Sequence, residues 1–88
     1  MRFQFDPAKA KINKKKHDVS FADAEGIFYD PLALHLRAAD RKYEERFIAV
    51  GMGSAGQVMV VVYTRRGEEI RLISARRATL REVKQYES

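Results

Sequence analysis

The chain contains no cysteine and no tryptophan, and it has only two histidines and two prolines. Without cysteine, disulfide staples and thiol chemistry are excluded. The histidines, His17 and His35, stand far apart in sequence and do not suggest a zinc site. No long apolar run occurs. The longest, Val58 to Tyr63, is strand-sized and far short of the roughly 20 residues that span a bilayer. No apolar segment follows the charges at the N-terminus, so no secretory signal is expected. Gly51, Gly53 and Gly56 are not followed by Gly-Lys-Ser/Thr, which removes a phosphate loop and leaves a hairpin connection. These absences lead us to expect a cytoplasmic protein with no metal and no cofactor.

What is present fits one small domain, residues 1–88. Hydrophobic residues make up 45% of the chain, enough for a core. Lys and Arg number 17 against 12 Asp and Glu, a formal charge of +5. Such an excess attracts polyanions. Nucleic acid or an acidic protein fits it better than a membrane, because no strongly amphipathic basic helix is visible.

The chain is organised around Val58–Ala78. Val58, Val60 and Val62 alternate with Met59, Val61 and Tyr63, so both faces of this strand are apolar and it should be central. Arg65-Arg66-Gly67-Glu68 supplies turn chemistry, and Ile70–Ala75 resumes the strand pattern. Thr79-Leu80-Arg81-Glu82 fits a capping box that opens a last helix, with Leu80, Val83 and Tyr86 inward.

Upstream, Arg2–Phe5 reads as a short strand. Asp6-Pro7 starts a helix running to about Lys16, with a thin apolar stripe of Ala8 and Ile12 and five lysines between Lys9 and Lys16. Ser20 caps a second helix that buries Phe21, Ala24, Ile27 and Phe28. Residues 32–43 read as a loop that admits a short strand, and Arg46–Met52 as a strand. The expected class is α+β: an N-terminal strand and a three-stranded antiparallel meander, with two N-terminal helices and a C-terminal helix on one face. The other face stays partly open, and a ligand belongs there.

The chemistry open to such residues is phosphodiester cleavage by cations and one proton carrier. RNA permits it because its own 2′-OH is the nucleophile. Arginine suits the doubly charged phosphorane, since its planar fork meets two phosphate oxygens and keeps its charge. Arg46, Arg71 and Arg76 lie at or beside strand positions. His17 is the natural proton carrier. A helix-terminal cation with no catalytic role is an equal reading for it. Tyr63 and Tyr86 can stack a base or donate a proton, and Arg65, Arg66 and Arg77 can meet RNA phosphates. Strand parity stands against the set. On an ideal strand Arg71 and Arg76 point to opposite faces, and they serve one site only if the strand bulges or ends between them.

The motifs resemble those of the BrnT family, ribonuclease toxins of bacterial type II toxin–antitoxin systems. The resemblance runs through FDPAKAKINKKKHDVSFADAEGIFYDP from Phe5, ERFIAVG from Glu45, VVVYTRRGEEIRLISARRAT from Val60, and Tyr86. The combination of K-H-x-V-S-F with R-x-I-S-A-R is its most specific part. It implies a RelE-like α+β fold and metal-independent endoribonuclease activity that inhibits translation. It also implies neutralisation by a BrnA-type antitoxin, and operator DNA bound only through the toxin–antitoxin complex, which represses its own operon. The residues it carries over as catalytic are His17, Arg46, Arg71 and Arg76. Phe5, Asp18, Leu80 and Val83 depart from the family's common residues, and the last two thin the positive charge of the terminal helix. The alternative of another class is a non-catalytic basic module that binds nucleic acid or an acidic protein.

Overall fold

The computed structural model describes residues 1–38 and 44–88. In chain order its elements are β1 (Arg2–Gln4), α1 (Pro7–His17), α2 (Phe21–Glu25) continuing into a 3₁₀ turn (Gly26–Tyr29), β2 (Leu34–Arg37), β3 (Phe47–Met52), β4 (Val58–Arg66), β5 (Glu69–Arg77) and α3 (Leu80–Glu87). The class is α+β. The strands form one sheet in the order β1-β5-β4-β3-β2, so the strand with two apolar faces is central, as its composition requires.

Two features differ from the expected sheet. β1 pairs parallel to β5, which makes the sheet mixed. Leu34–Arg37, within the segment read as a loop, adds a fifth strand antiparallel to β3. Residues 39–43 of that segment lie outside the described residues.

The helices start where the sequence signals place them. Asp6 caps α1 through Ala8 N–H, and Ser20 caps α2 through Asp23 N–H. At α3 both bonds of the capping box are made: Glu82 N–H donates to Thr79 Oγ1, and Thr79 N–H donates to the Glu82 carboxylate. Gly67 turns the β4–β5 hairpin at φ +60°, a conformation costly for residues with a Cβ.

The core joins Val19, Phe21, Ala24 and Ile27 from the helical side to Ala49, Met59, Val61, Tyr63, Ile70, Leu72 and Ala75 of the strands. Alternation sends Ile48, Val50, Val60, Val62 and Thr64 to the second face. No α3 residue belongs to that core cluster. The ties of α3 run to β3, to Arg76 and to Asp30.

Two expected packing positions are corrected. Leu80 is 81% exposed, because it occupies the first turn of α3, and the half-buried residues of that helix are Glu82, Val83 and Tyr86. Ile12 is 65% exposed and Ala8 is also outside the core, so α1 does not dock on that stripe. It docks on the face of Ala10, Asn13 and His17.

Asn13 explains the choice of face. Beyond Arg71, β5 has lost its β1 neighbour and presents a bare edge. Asn13 Nδ2–H donates to Ala75 O at 2.8 Å, and Ala75 N–H donates to Asn13 Oδ1 at 3.1 Å. The side-chain amide thus reproduces the two bonds of a paired strand residue. A buried edge left without them would hold two orphaned backbone groups.

Candidate active site

The site begins with an irregularity in β5. Val62 pairs with Ser74 but Tyr63 pairs with Leu72, so Ile73 is an extra residue. This bulge reverses parity along the strand. Ile70 and Leu72 face the core before it, and Ala75 does so after it. Arg71, Ser74 and Arg76 therefore share the second face, which an ideal strand forbids.

Register sets the rest of that face. Arg71 lies opposite Thr64, Ser74 opposite Val62, and Arg76 opposite Val60. Phe47 lies opposite Tyr63, so Arg46, one residue earlier, falls opposite Thr64. One row across the sheet thus reads Arg46, Thr64, Arg71. Arg76 stands four β4 positions away, roughly 13 Å at strand rise. Both guanidinium stems are long enough to lean over the Val62–Ser74 row between them.

The cations differ in their partners. Arg71 makes no ion pair among the described residues. Arg46 meets Glu44 only loosely, at 3.7 Å, and its Nε is buried with no hydrogen-bond partner among the described residues. Thr64 is 1% exposed, and its Oγ1 likewise has no partner among the described residues. Arg76 is held firmly: Nη1 and Nη2 donate to the two Glu82 oxygens, both at 2.8 Å. This fork, helped by Thr79 N–H, lowers the Glu82 carboxyl to about 2. The same hydrogen bonds raise the Arg76 guanidinium above its usual value.

His17 lies at the edge of the sheet. With Lys9, Ile12, Asn13, Lys16, Ile73 and Ser74 it lines a groove of about 200 Å³ between α1 and the bulge. Ser74 belongs to both surfaces: it faces the arginines by register and lines the His17 groove. Of the four residues proposed as catalytic from sequence, Arg71 and Arg76 thus share one face of β5, His17 lines a groove at the β5 edge, and Arg46 stands just before β3, with β4 between it and β5.

The residues proposed to bind RNA are more scattered. Arg66 is on the second face, near Glu44 at 3.7 Å. Arg77 lies opposite Met59, on the helical side, and reaches Asp18 at 3.8 Å. Tyr63 is 4% exposed and core-facing, so it does not stack a base over the arginines. Tyr86 O–H donates to Asp30 Oδ2 at 2.6 Å, and that carboxylate also accepts Met52 N–H. The bond holds the Asp30 carboxyl below its ordinary range and raises the Tyr86 phenol. Tyr86 therefore anchors α3. Asn13, Thr64 and Ser74 are site residues that sequence reasoning did not select. Only Asn13 left a signal, a polar residue on the helix face nearest the strand edge.

Residues 5–82 match the sequence model of the family described as ribonuclease toxin, BrnT, of type II toxin–antitoxin systems. The chain belongs to the BrnT family. Its structure is also similar to the 1.1 Å crystal structure of the Brucella abortus ribonuclease toxin BrnT, with a TM-score of 0.65 and 24% identity. That match covers 90% of this chain and 97% of the Brucella chain. At this identity the likeness speaks for the fold. No curated protein sequence matches significantly. Membership of the BrnT family makes the chain a ribonuclease toxin of a type II system, with an RNA target and an antitoxin partner. Among the described residues no helix is long and apolar enough to cross a membrane.

Proposed function

We propose that the chain is a metal-independent endoribonuclease toxin that cleaves RNA through attack of the 2′-OH on the adjacent phosphate. The observation that carries the reading is the β5 bulge, which puts Arg71 and Arg76 on one face beside the groove of His17. In the reaction the 2′-O–P bond forms and the P–O5′ bond breaks. The 2′-OH proton leaves to a base, and the departing 5′-oxygen takes one up. His17 is the proton carrier at the groove. Arg71 and Arg46 flank the phosphate in one row, and Arg76 approaches it from the other side. Fixed guanidinium groups suit the charge that grows on the phosphorane and need no metal for that task. Arg66, on the same face, adds a phosphate contact, whereas Arg65 and Arg77 stand on the helical side of the sheet.

The partner is an antitoxin of BrnA type that covers the arginine face. Acidic or apolar contacts at Arg71 and Arg76 suit this role. Together the pair represses its own operon, with operator DNA bound through the complex, and acts in the cytoplasm. Expression in a bacterium with and without the neighbouring gene tests the toxin. Growth arrest relieved by that gene supports it, and growth without arrest opposes it. Cleavage of a short RNA in excess EDTA tests metal independence, and loss of cleavage there refutes it.

A further inference from the structure

A second concave surface lies on the helical face of the sheet, at the hairpin end that α1 and α2 leave uncovered. It is a cavity of about 370 Å³, within the range of small-ligand sites. Its walls are aromatic. Phe47 and Tyr63 stack with centroids 5.4 Å apart and planes at 23°, and Phe28 meets Tyr63 edge-on at 4.8 Å. On one wall His35 Nδ1 and Tyr63 O–H are hydrogen-bonded at 2.8 Å. Arg37 and Arg65 also line the cavity.

We propose that this aromatic box is a nucleotide-binding site, with the base against Phe28 and Phe47, its edge read by His35 and the Tyr63 hydroxyl, and its phosphate on Arg65. Each part of the box matches one part of that ligand. Flat rings offer a stacking surface that any base can use. The His35–Tyr63 pair supplies hydrogen-bonding groups on one wall of the cavity, where a base edge would meet them. Burial and the Arg65 charge lower the proton affinity of His35, and with Nδ1 bonded to Tyr63 its Nε2 is left to meet a base edge. Arg65 is exposed and makes no ion pair among the described residues, so its guanidinium is available to a phosphate. Arg37 has an acidic neighbour, Glu45, at 3.4 Å, which makes Arg65 the stronger anion contact.

The box opens on the face opposite Arg71 and Arg76, so the proposal goes beyond the ribonuclease reading and does not require cleavage. The ligand has two sources, a nucleotide of bound RNA or a free mononucleotide. The two histidines distinguish the surfaces: His35 reports the box and His17 the groove. The full chain is titrated at pH 7 with adenosine 5′-monophosphate, with inorganic phosphate, and with a short 2′-O-methyl RNA that cannot be cleaved. The histidine ring resonances are followed by NMR. The nucleotide should shift His35 saturably and leave His17 in place. Arg65→Ala should weaken binding about tenfold, the scale of one charge-assisted contact. Tyr63→Phe, which keeps the ring and the packing, should weaken it several-fold. If the RNA moves His35 together with His17, the ligand is a nucleotide of the bound strand. If the mononucleotide alone moves His35, the ligand is free nucleotide. His35 unmoved by both, or moved equally by inorganic phosphate, overturns the proposal.

Discussion

Arg71 and Arg76 should separate under mutation, because the fold holds them differently. Arg71 makes no ion pair among the described residues and lies on the second face opposite Thr64. Arg71→Ala should therefore leave stability within about 0.5 kcal/mol of wild type, as for a surface substitution. Its cost should fall on the chemical step. A guanidinium aimed at developing phosphorane charge should be worth roughly 10²–10³ in rate, by analogy with an oxyanion donor. Arg76→Ala should show the same kinetic loss and a second effect. It removes both donors from Glu82 and leaves that carboxylate with the Thr79 N–H alone. Arg76 is 41% exposed, so the ion pair is screened and its loss should cost about 1–2 kcal/mol. Lys14, paired with Asp18 at 3.3 Å on the solvated side of α1, is the control, and Lys14→Ala should alter only the salt dependence of binding. The assay is single-turnover cleavage of a short RNA at saturating enzyme, with urea denaturation on the same samples. Folded Arg71→Ala and Arg76→Ala variants that both cut at the wild-type rate would refute the site. An Arg76→Ala variant as stable as wild type would refute the bracing role of Glu82.

The remaining expectations concern the supports of that face. Asn13→Ala should destabilise the chain by roughly 3 kcal/mol, since it orphans Ala75 N–H and C=O at a buried edge; urea denaturation measures it, and a loss under 1 kcal/mol would show that the edge does not need the amide. The Glu82 carboxyl is lowered to about 2 from 4.5 in the folded chain, so its stabilisation is complete above pH 4.5 and fades as pH falls toward 2. Glu82→Gln should flatten that part of the stability–pH curve, and an unchanged acid limb would contradict the linkage. His17→Ala should flatten the pH–rate profile if His17 carries the proton, whereas a parallel profile at lower rate would move that role to another group.

Where the sequence was legible, local chemistry and tertiary demand agreed. The capping box at Thr79, Asp6-Pro7, Gly67 and the doubly apolar Val58–Tyr63 each have one inexpensive solution, and the chain adopts it. Leu34–Arg37 was harder to read, since a short strand exposed along its length carries no burial pattern. Ile12 misled for a related reason. In a helix with so few apolar residues, the buried face was chosen by one hydrogen-bonding amide and not by hydrophobic periodicity.

The bulge is the decisive case. Nothing in Arg-Leu-Ile-Ser-Ala-Arg announces an extra residue, because Ile73 and Ala75 both fit the face on which an ideal strand would put Arg71. The reason becomes visible only across the fold. Ala75 must present its backbone to Asn13 and its side chain to the core, while Leu72 must also point inward. Two inward residues three positions apart cannot both be satisfied by a period of two, and one extra residue resolves the conflict. The clamp by Asn13 and the shared face of Arg71 and Arg76 are therefore one structural fact. It yields a coupled expectation: Asn13→Ala, even where the chain stays folded, should lower cleavage by disturbing Arg76 more than Arg71. A double-mutant cycle measures this. Asn13→Ala should be nearly silent on the cleavage rate in an Arg76→Ala background and fully costly in an Arg71→Ala background, and equal costs in both would break the link between the clamp and the site.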